Sequence, residues 1–211
     1  MKLTEYQTGF INFLLEAEIL SFGEFTLKSG RSSPYFFNVG AINSGHKLSI
    51  LGDFYANALV ASGMPCDLLF GPAYKGIPLV SSTAIAMHQR YDIDLSYAYN
   101  RKEVKDHGEG GQLVGAPVVG NVVIVDDVIS AGTSIREVMT LLDQTPATVT
   151  GILVAIDRQD KGQNGLSAIQ EVEQHYGVPV MSIINLDDIV EYLASKGSFD
   201  AELQQIKAYR L

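Results

Sequence analysis

The sequence predicts an α/β fold with a mostly parallel sheet flanked by helices. The first observation is that short apolar runs alternate with stretches of helical spacing along the 211 residues. Runs such as Val122–Val125 and Thr148–Ile156 are apolar at most positions, which is typical of strands covered on both faces. The second observation is that polar clusters follow several of these runs, at the ends where parallel sheets bind ligands. Hydrophobic residues make up 46% of the chain, enough for a full core.

The spacing of apolar residues also predicts the individual elements. The N-terminal segment is expected to form a helix at Thr4–Leu20, capped by Thr4, and then a strand, a turn with Gly30 and Pro34, and a second strand over 22–38. Five further strands are expected at Asp67–Phe70, Ser96–Asn100, Val122–Val125, Thr148–Ile156 and Val178–Ile184. Six further helices are expected at His46–Ser62, Ile77–Gln89, Ile135–Leu142, Leu166–Tyr176, Leu186–Ala194 and Asp200–Arg210. Residues 101–111 are expected to form a polar loop.

Composition narrows the class of protein. The net charge is −9, from 15 basic and 24 acidic residues, which makes binding to nucleic acid or to an anionic membrane a poor hypothesis. The single cysteine, Cys66, rules out an internal disulfide and is expected to act as a small buried hydrophobe. We find no apolar run that could span a bilayer and no signal-peptide pattern, so we expect a cytoplasmic protein.

The segment Val122–Ser134, VVIVDDVISAGTS, is the centre of the predicted site. A buried strand runs into Asp126 and Asp127, and a loop of small residues then leads to a helix N-terminus. Such a terminus favours a phosphate, and two carboxylates can accept hydrogen bonds from sugar hydroxyls, directly or around Mg²⁺. The alternative is an acidic turn followed by an ordinary capped helix.

Three other polar segments are candidates for the same site. GPAYKG at residues 71–76 places Lys75 between two glycines after a strand and suggests a second anion-binding turn, without the sequence of a P-loop. The predicted loop at 101–111 is rich in cations and glycines and is either a solvated loop or a lid over a polyphosphate. The hairpin over 22–38 carries two cations and an aromatic run, and is either an exposed hairpin or a lid that stacks on a planar base.

The segment Val122–Ser134 resembles the phosphoribosyl pyrophosphate (PRPP) signature of the type I phosphoribosyltransferases. In that family the two acidic residues hold the ribose 2′- and 3′-hydroxyls, and the loop wraps the 5′-phosphate. The signature alone does not indicate which base is the acceptor.

Further segments resemble the orotate phosphoribosyltransferases of bacteria, and the similarity covers essentially the whole chain. The segments are FGEFTLKSGRSSPYFFN, LLFGPAYKGIPL, NRKEVKDHGEGGQLVG, VVIVDDVISAGTS and DRQ. The resemblance implies transfer of the phosphoribosyl group from PRPP to orotate, giving orotidine 5′-monophosphate and pyrophosphate in de novo pyrimidine synthesis. It also implies a homodimer that requires Mg²⁺. The implied fold is a single domain over 1–211, with a hood from about 1–65 and a core of five strands from about 66–211.

The resemblance also assigns roles by position. For PRPP, it implies contacts from the residues Lys28, Tyr74, Lys75, Arg101, Lys102, Lys105, His107, Asp126, Asp127, Val128, Ile129, Ser130, Ala131, Gly132, Thr133 and Ser134. For orotate, it implies contacts from Lys28, Phe36, Phe37, Ser130 and Arg158, the last facing the carboxylate. Catalysis is assigned to Lys75, Lys105, His107 and Asp127, with either Lys105 or His107 as a general acid. Mg²⁺ would be held mainly by PRPP and water.

Three details complete the implied site. Tyr74 and Lys75 lie in a turn where the family often has a non-proline cis peptide. The 101–111 loop reaches into the site of the other subunit. Close relatives carry threonine where this chain has Ser130, which keeps the hydroxyl, so we expect its role near orotate to persist.

Three other functions fit the sequence less well. A phosphoribosyltransferase for uracil or a purine is disfavoured by Arg158 and the hood residues, which suit an anionic base. A non-catalytic PRPP-binding regulator would need a nucleic-acid-binding element, which this acidic chain does not offer. A nucleotide triphosphatase would need a Walker A sequence, and the chain has none.

Overall fold

The computed structural model describes residues 3–26, 32–105, 111–130, 132–160 and 165–209. Within these ranges the chain forms eight strands and seven helices. The strands are β1 (Leu20–Thr26), β2 (Ser32–Phe37), β3 (Leu68–Gly71), β4 (Ser96–Lys105), β5 (Gly111–Gly115), β6 (Gly120–Val128), β7 (Ala147–Asp157) and β8 (Val180–Asn185). The helices are α1 (Glu5–Glu16), α2 (Gly45–Ser62), α3 (Gly76–Tyr91), α4 (Thr133–Leu142), α5 (Ala168–Tyr176), α6 (Leu186–Lys196) and α7 (Asp200–Tyr209). None of these helices is long and apolar enough to cross a bilayer.

The chain divides into two compact units. One comprises residues 1–47 together with 184–211, and the other comprises residues 48–183. The expected division into a hood at about 1–65 and a core at about 66–211 stays a prediction.

The larger unit is built on a mixed sheet with the strand order β5-β4-β3-β6-β7-β8 across the described residues. β3 runs parallel to both β4 and β6, and β6 runs parallel to β7. β5 is antiparallel to β4. Because β3, β4, β6 and β7 share one direction, their carboxyl ends lie at the same edge of the sheet, where ligands bind in such folds.

Apolar packing holds this unit together. Phe70, Ile124 and Val154 come from three neighbouring strands and are fully buried. Ile135 and Val138 from α4 pack in the same core, since they lie on one face of the helix. Burial on this scale is the main source of stability and fixes the sheet edge that carries the polar clusters.

The smaller unit consists of the β1–β2 hairpin and helices α1, α6 and α7. The hairpin is antiparallel, with Leu20 opposite Phe37. The hydroxyl of Tyr192 in α6 donates a hydrogen bond to Asn12 in α1. The ring of Tyr209 in α7 meets the ring of Tyr35 edge-on, with 6.2 Å between centroids.

The predicted α/β class and the mostly parallel sheet are confirmed, and three details of the elements are wrong. The expected loop at 101–111 is partly strand, because β4 continues to Lys105 and pairs with β5, which adds a sixth strand. The first helix ends at Glu16 rather than Leu20, because Glu18 adopts a left-handed φ of 59° and breaks the helix. Pro34 lies within β2 instead of the turn.

Cys66 is only partly buried, and burial raises the pKa of its thiol to about 11. Its thiolate form is therefore scarce near neutral pH, and the residue is less buried than the small buried hydrophobe that the sequence predicts.

Candidate active site

Two buried carboxylates lie at the end of the central strand β6. Asp126 and Asp127 are only 7% and 8% exposed. One oxygen of Asp126 accepts a hydrogen bond from the Asp127 N–H at 2.8 Å, and the other accepts a longer one, 3.4 Å, from the hydroxyl of Ser134. Asp127 accepts a bond from the Val128 N–H at 2.9 Å. These bonds fix both side chains, and each carboxylate oxygen keeps a further lone pair for a sugar hydroxyl.

The environment of Asp126 favours its protonated form. Burial, followed by the negative charge of Asp127, raises the pKa of Asp126 to about 7. Desolvation disfavours a charged carboxylate, and a neighbouring carboxylate adds repulsion. Perturbed groups of this kind are concentrated at functional sites.

Lys75 links the second predicted segment to the acidic pair. Its Nζ lies 2.7 Å from Oδ2 of Asp127, in a combined hydrogen bond and ion pair. The Lys75 side chain is 59% exposed, so it can reach a ligand from this position. The two sequence segments, 52 residues apart, therefore form one polar site at the sheet edge.

The turn that carries Lys75 runs from Gly71, the last residue of β3, to Gly76, the first residue of α3. The peptide between Ala73 and Tyr74 is cis. The N–H of Ala73 donates to Oδ1 of Asn100 in β4 at 2.8 Å, so the neighbouring strand holds the turn. The Gly71 and Gly76 backbones are so close that a Cβ on Gly76 would lie 2.7 Å from the Gly71 carbonyl carbon.

The loop after the acidic pair leads to the N-terminus of α4. Gly132 caps this helix with a left-handed φ of 66° and no side-chain hydrogen bond. The first N–H groups of a helix have no intrahelical acceptors, and the cap residue Gly132 has no side chain to accept from them, which suits a phosphate. Ile129 packs in the core, so it can meet a ligand only through its backbone. Of the predicted loop residues, Ala131 lies outside the described residues.

The cationic segment begins within β4. Arg101 and Lys102 lie in the strand, and Nζ of Lys102 is 5.4 Å from the ring centroid of Tyr74 in the neighbouring turn, a cation–π contact. Lys105 ends β4, and its side chain is outside the described part of the chain, as is all of His107. The structure therefore describes the side chains of two of the four predicted cations, and Lys102 contacts the turn.

Arg158 follows the end of β7 at the same sheet edge. Its side chain is 12% exposed, and its Nε donates to Asp160 at 2.9 Å. Gln159 between them has a left-handed φ of 54°, and its N–H donates to Asp157. This tight turn orients a mostly buried guanidinium, which can pair with a carboxylate through two N–H groups.

The predicted aromatic lid residues lie in β2 of the smaller unit. Phe36 is 39% exposed, and its ring stacks on Phe25 at 5.3 Å between centroids. Phe37 is buried on the opposite face of the strand, as alternation along a strand requires. Lys28 lies outside the described residues.

Sequence reasoning missed two residues that support this site. Asn100 holds the turn through Ala73, and Tyr55 of α2 donates its hydroxyl to the Asp126 carbonyl oxygen at 2.9 Å. Asn100 could have been flagged as a polar residue at a strand end. Tyr55 lies at core spacing in a helix, and nothing local distinguishes it from a packing residue.

Comparison with known proteins identifies the family of this chain. A family model described as "Phosphoribosyl transferase domain" matches residues 38–176. The chain is 57% identical to the orotate phosphoribosyltransferase of Proteus mirabilis and 56% identical to that of Photorhabdus laumondii, in each case over 97% of this chain and 96% of the relative. A crystal structure of the Francisella tularensis orotate phosphoribosyltransferase has a TM-score of 0.86 and 41% identity, covering 96% of this chain and 97% of that one.

The fold and the family match therefore make this chain a type I phosphoribosyltransferase. The near-full-length identity is more specific. The chain belongs to the orotate phosphoribosyltransferase family.

Proposed function

We propose that this chain transfers the 5-phosphoribosyl group of PRPP to orotate, giving orotidine 5′-monophosphate and pyrophosphate in de novo pyrimidine synthesis. The observation that carries the proposal is the 2.7 Å contact between Lys75 and Asp127. It brings a turn suited to pyrophosphate and an acidic pair suited to ribose to the same sheet edge. The relatives named orotate phosphoribosyltransferase support the choice of base.

PRPP would lie across the carboxyl ends of β3 and β6. Asp126 and Asp127 would accept hydrogen bonds from the 2′- and 3′-hydroxyls of the ribose. The loop from Val128 to Ser134 would bind the 5′-phosphate at the N-terminus of α4, where Gly132 leaves the helix N–H groups accessible. The turn with Tyr74 and Lys75 would face the pyrophosphate.

The chemistry requires charge stabilisation rather than a protein nucleophile. Breaking the C1′–O bond develops positive charge on the ribose and negative charge on the departing pyrophosphate. Lys75 stands beside the ribose site and would stabilise the leaving group, with help from Arg101 and Lys102. Lys105 or His107 would protonate the pyrophosphate as it leaves.

The donor set of the site fits Mg²⁺. This ion prefers oxygen ligands and is usually bound through one or two carboxylates together with substrate phosphates and water. Mg²⁺ would be held mainly by PRPP and water, beside the carboxylates of Asp126 and Asp127. The described residues contain no group of three or more His, Cys, Asp or Glu side chains that could hold a metal without substrate. When bound, Mg²⁺ would neutralise negative charge on the polyphosphate of PRPP.

Arg158 would select orotate over uracil, because only orotate carries a carboxylate at the position that a guanidinium can recognise. The Asp160 contact holds the guanidinium through Nε. Ser130 would also contact orotate. Lys28, Phe36 and Phe37 are proposed to cover the base.

The active assembly is proposed to be a homodimer in which the 101–111 segment of one subunit serves the site of the other. A cationic segment must meet an anionic leaving group, and the family resemblance supports exchange between subunits. Neither nucleic acid nor membrane is proposed as a partner. The expected cytoplasmic location stays a prediction that cell fractionation would test.

The decisive experiment follows orotate absorbance after addition of PRPP and Mg²⁺, beside parallel reactions with uracil and hypoxanthine. We expect turnover with orotate only. An Asp127→Asn variant should be inactive, and Asp53→Asn, which alters a carboxylate paired with Arg90 on the helices, should retain activity. Turnover with another base alone would identify a different phosphoribosyltransferase, and PRPP binding without any turnover would indicate a regulator.

A further inference from the structure

The acidic pair lies beyond the point where β6 loses one of its neighbours. Pairing between β3 and β6 ends at Phe70 and Ile124. Pairing between β6 and β7 continues as far as Val128 and Ile156. The residues from Val125 to Val128 therefore extend past the last β3–β6 pair, and they include the carboxylates of Asp126 and Asp127.

Tyr55 contacts the backbone of this extension. Its side chain is fully buried, and its hydroxyl donates to the carbonyl oxygen of Asp126 at 2.9 Å, two residues beyond the last β3–β6 pair. A buried hydroxyl without an acceptor is unfavourable, so this bond specifies a single position for the Asp126 peptide. The same peptide unit supplies the Asp127 N–H that binds the Asp126 carboxylate.

We propose that Tyr55 is a positioning residue that fixes the Asp126–Asp127 backbone so that both carboxylates meet the ribose hydroxyls of PRPP. This inference rests on the proposed function. Tyr55 acts through the carbonyl of Asp126 and need not touch a substrate. Productive geometry tolerates errors of only about 0.5 Å, so loss of one supporting hydrogen bond at this peptide should weaken binding of the ribose.

The test removes a single oxygen atom, the Tyr55 hydroxyl. Tyr55→Phe should raise KM for PRPP by about 5- to 50-fold while KM for orotate stays within about twofold. Tyr91→Phe is the matched control, because the Tyr91 hydroxyl bonds Asn57 on the same helix α2 without reaching β6. It should leave both KM values unchanged.

A purely structural role would give a different pattern. Partial unfolding would lower the melting temperature and kcat through a smaller active fraction, and would leave KM for PRPP alone. Titration calorimetry separates the positioning role from a purely structural one. Tyr55→Phe should weaken binding of ribose 5-phosphate by the same factor as it raises KM for PRPP, and should leave binding of inorganic phosphate unchanged. Tyr55→4-aminophenylalanine, which restores a donor at the same place, should recover most of the PRPP affinity.

The outcomes distinguish this inference from the proposed function. If the wild type turns over orotate and Tyr55→Phe retains the wild-type KM for PRPP, the positioning role is wrong and the function stands. Equal losses for ribose 5-phosphate and inorganic phosphate would also overturn it, because the defect would then not concern the ribose. A third outcome is that the wild type binds ribose 5-phosphate but turns over no orotate, and that Tyr55→Phe loses this binding. The positioning role would then stand, and the proposed function would fail.

Discussion

The close approach of Gly71 and Gly76 makes the turn between β3 and α3 sensitive to a single methyl group. In Gly76→Ala, the new Cβ would lie 2.7 Å from the Gly71 carbonyl carbon and 2.7 Å from Cδ of Pro72. Carbon atoms normally approach to about 3.5–4.0 Å, so the overlap is about 1 Å. The atoms in the way belong to backbone and a proline ring and cannot rotate aside, so the turn must open.

This opening has two expected consequences. Overpacking of this kind costs about 1–3 kcal/mol in the free energy of unfolding, which for a chain of this size lowers the melting temperature by roughly 2–12 °C. Lys75 immediately precedes Gly76, so its Nζ should move away from the 2.7 Å contact with Asp127. A displacement of about 1 Å at a reacting centre lowers kcat/KM by about 100-fold.

The measurements are thermal unfolding and the orotate absorbance assay with varied PRPP. Gly45→Ala is the control, because a Cβ at Gly45 meets nothing within 4 Å and α2 already begins there. It should match or slightly exceed the stability of the wild type and keep full activity. A Gly76→Ala protein with the melting temperature and kcat/KM of the wild type would refute the reasoning, since the turn would then have room for the methyl group.

Four further predictions concern the site. Turnover should stop in excess EDTA and return when Mg²⁺ is added, because the polyphosphate needs a divalent cation. Arg158→Leu should lower kcat/KM for orotate by about 30- to 5,000-fold, the equivalent of about 2–5 kcal/mol for a lost charged partner, with little change in PRPP affinity. Asp126→Asn should flatten the pH dependence of the free energy of unfolding. The Asp126 carboxyl has a pKa of about 7 in the folded state against a usual value of 3.8, so the folded state binds this proton more tightly than the unfolded state. The wild type therefore loses stability as the pH rises from about 4 to about 7, by at most about 4 kcal/mol. Mixing Lys75→Ala with Lys105→Ala should restore about a quarter of wild-type activity, because random exchange makes about half the dimers mixed and each of these has one intact site.

Each of these predictions has a result that would contradict it. Full turnover in EDTA would exclude the metal requirement. Arg90→Leu, at an exposed ion pair on α3, is the control for Arg158→Leu and should keep the orotate kinetics of the wild type. If Arg158→Leu lost PRPP binding and kept its orotate kinetics, Arg158 would not be the residue that binds orotate. Equally steep pH profiles for wild type and Asp126→Asn would place the titration elsewhere. Mixed Lys75→Ala and Lys105→Ala subunits that give only the parental average, with exchange confirmed by mass spectrometry, would mean that the loop serves its own subunit.

The sequence was sufficient for the parallel core, because buried strands such as Val122–Val125 are apolar on both faces. It failed at the second half of β4, after Asn100, and at β5. Arg101–Lys105 is dominated by charged side chains, and Gly111–Gly115 has only two large apolar residues. These segments are held by backbone hydrogen bonds between two antiparallel strands. Backbone hydrogen bonds form with almost any side chain, so the sequence carries little sign of them. Pro34 was misplaced for a related reason, since a two-stranded hairpin tolerates a proline that a central strand would exclude.

The candidate site was predictable where its residues follow the strand ends. Asp126 and Lys75 could be grouped before any coordinates, because parallel strands deliver their carboxyl ends to one edge. The supporting contacts could not be predicted. The bonds from Tyr55 to the Asp126 carbonyl and from Ala73 to Asn100 join segments that are 71 and 27 residues apart, and they depend on the tertiary packing of α2 and β4.

The Lys75–Asp127 ion pair bears on how a polyanion reaches a chain whose net charge is −9. Asp127 is already neutralised by Lys75, and Asp126, with a pKa of about 7, is about half protonated at neutral pH. The two carboxylates thus present far less than two negative charges to an approaching PRPP. Long-range repulsion between a negatively charged protein and PRPP slows their diffusional encounter. Because the Lys75–Asp127 ion pair reduces this repulsion, it should raise the association rate of PRPP more than it strengthens the final complex. Stopped-flow association rates for PRPP should therefore respond to ionic strength less steeply than the net charge of the chain implies.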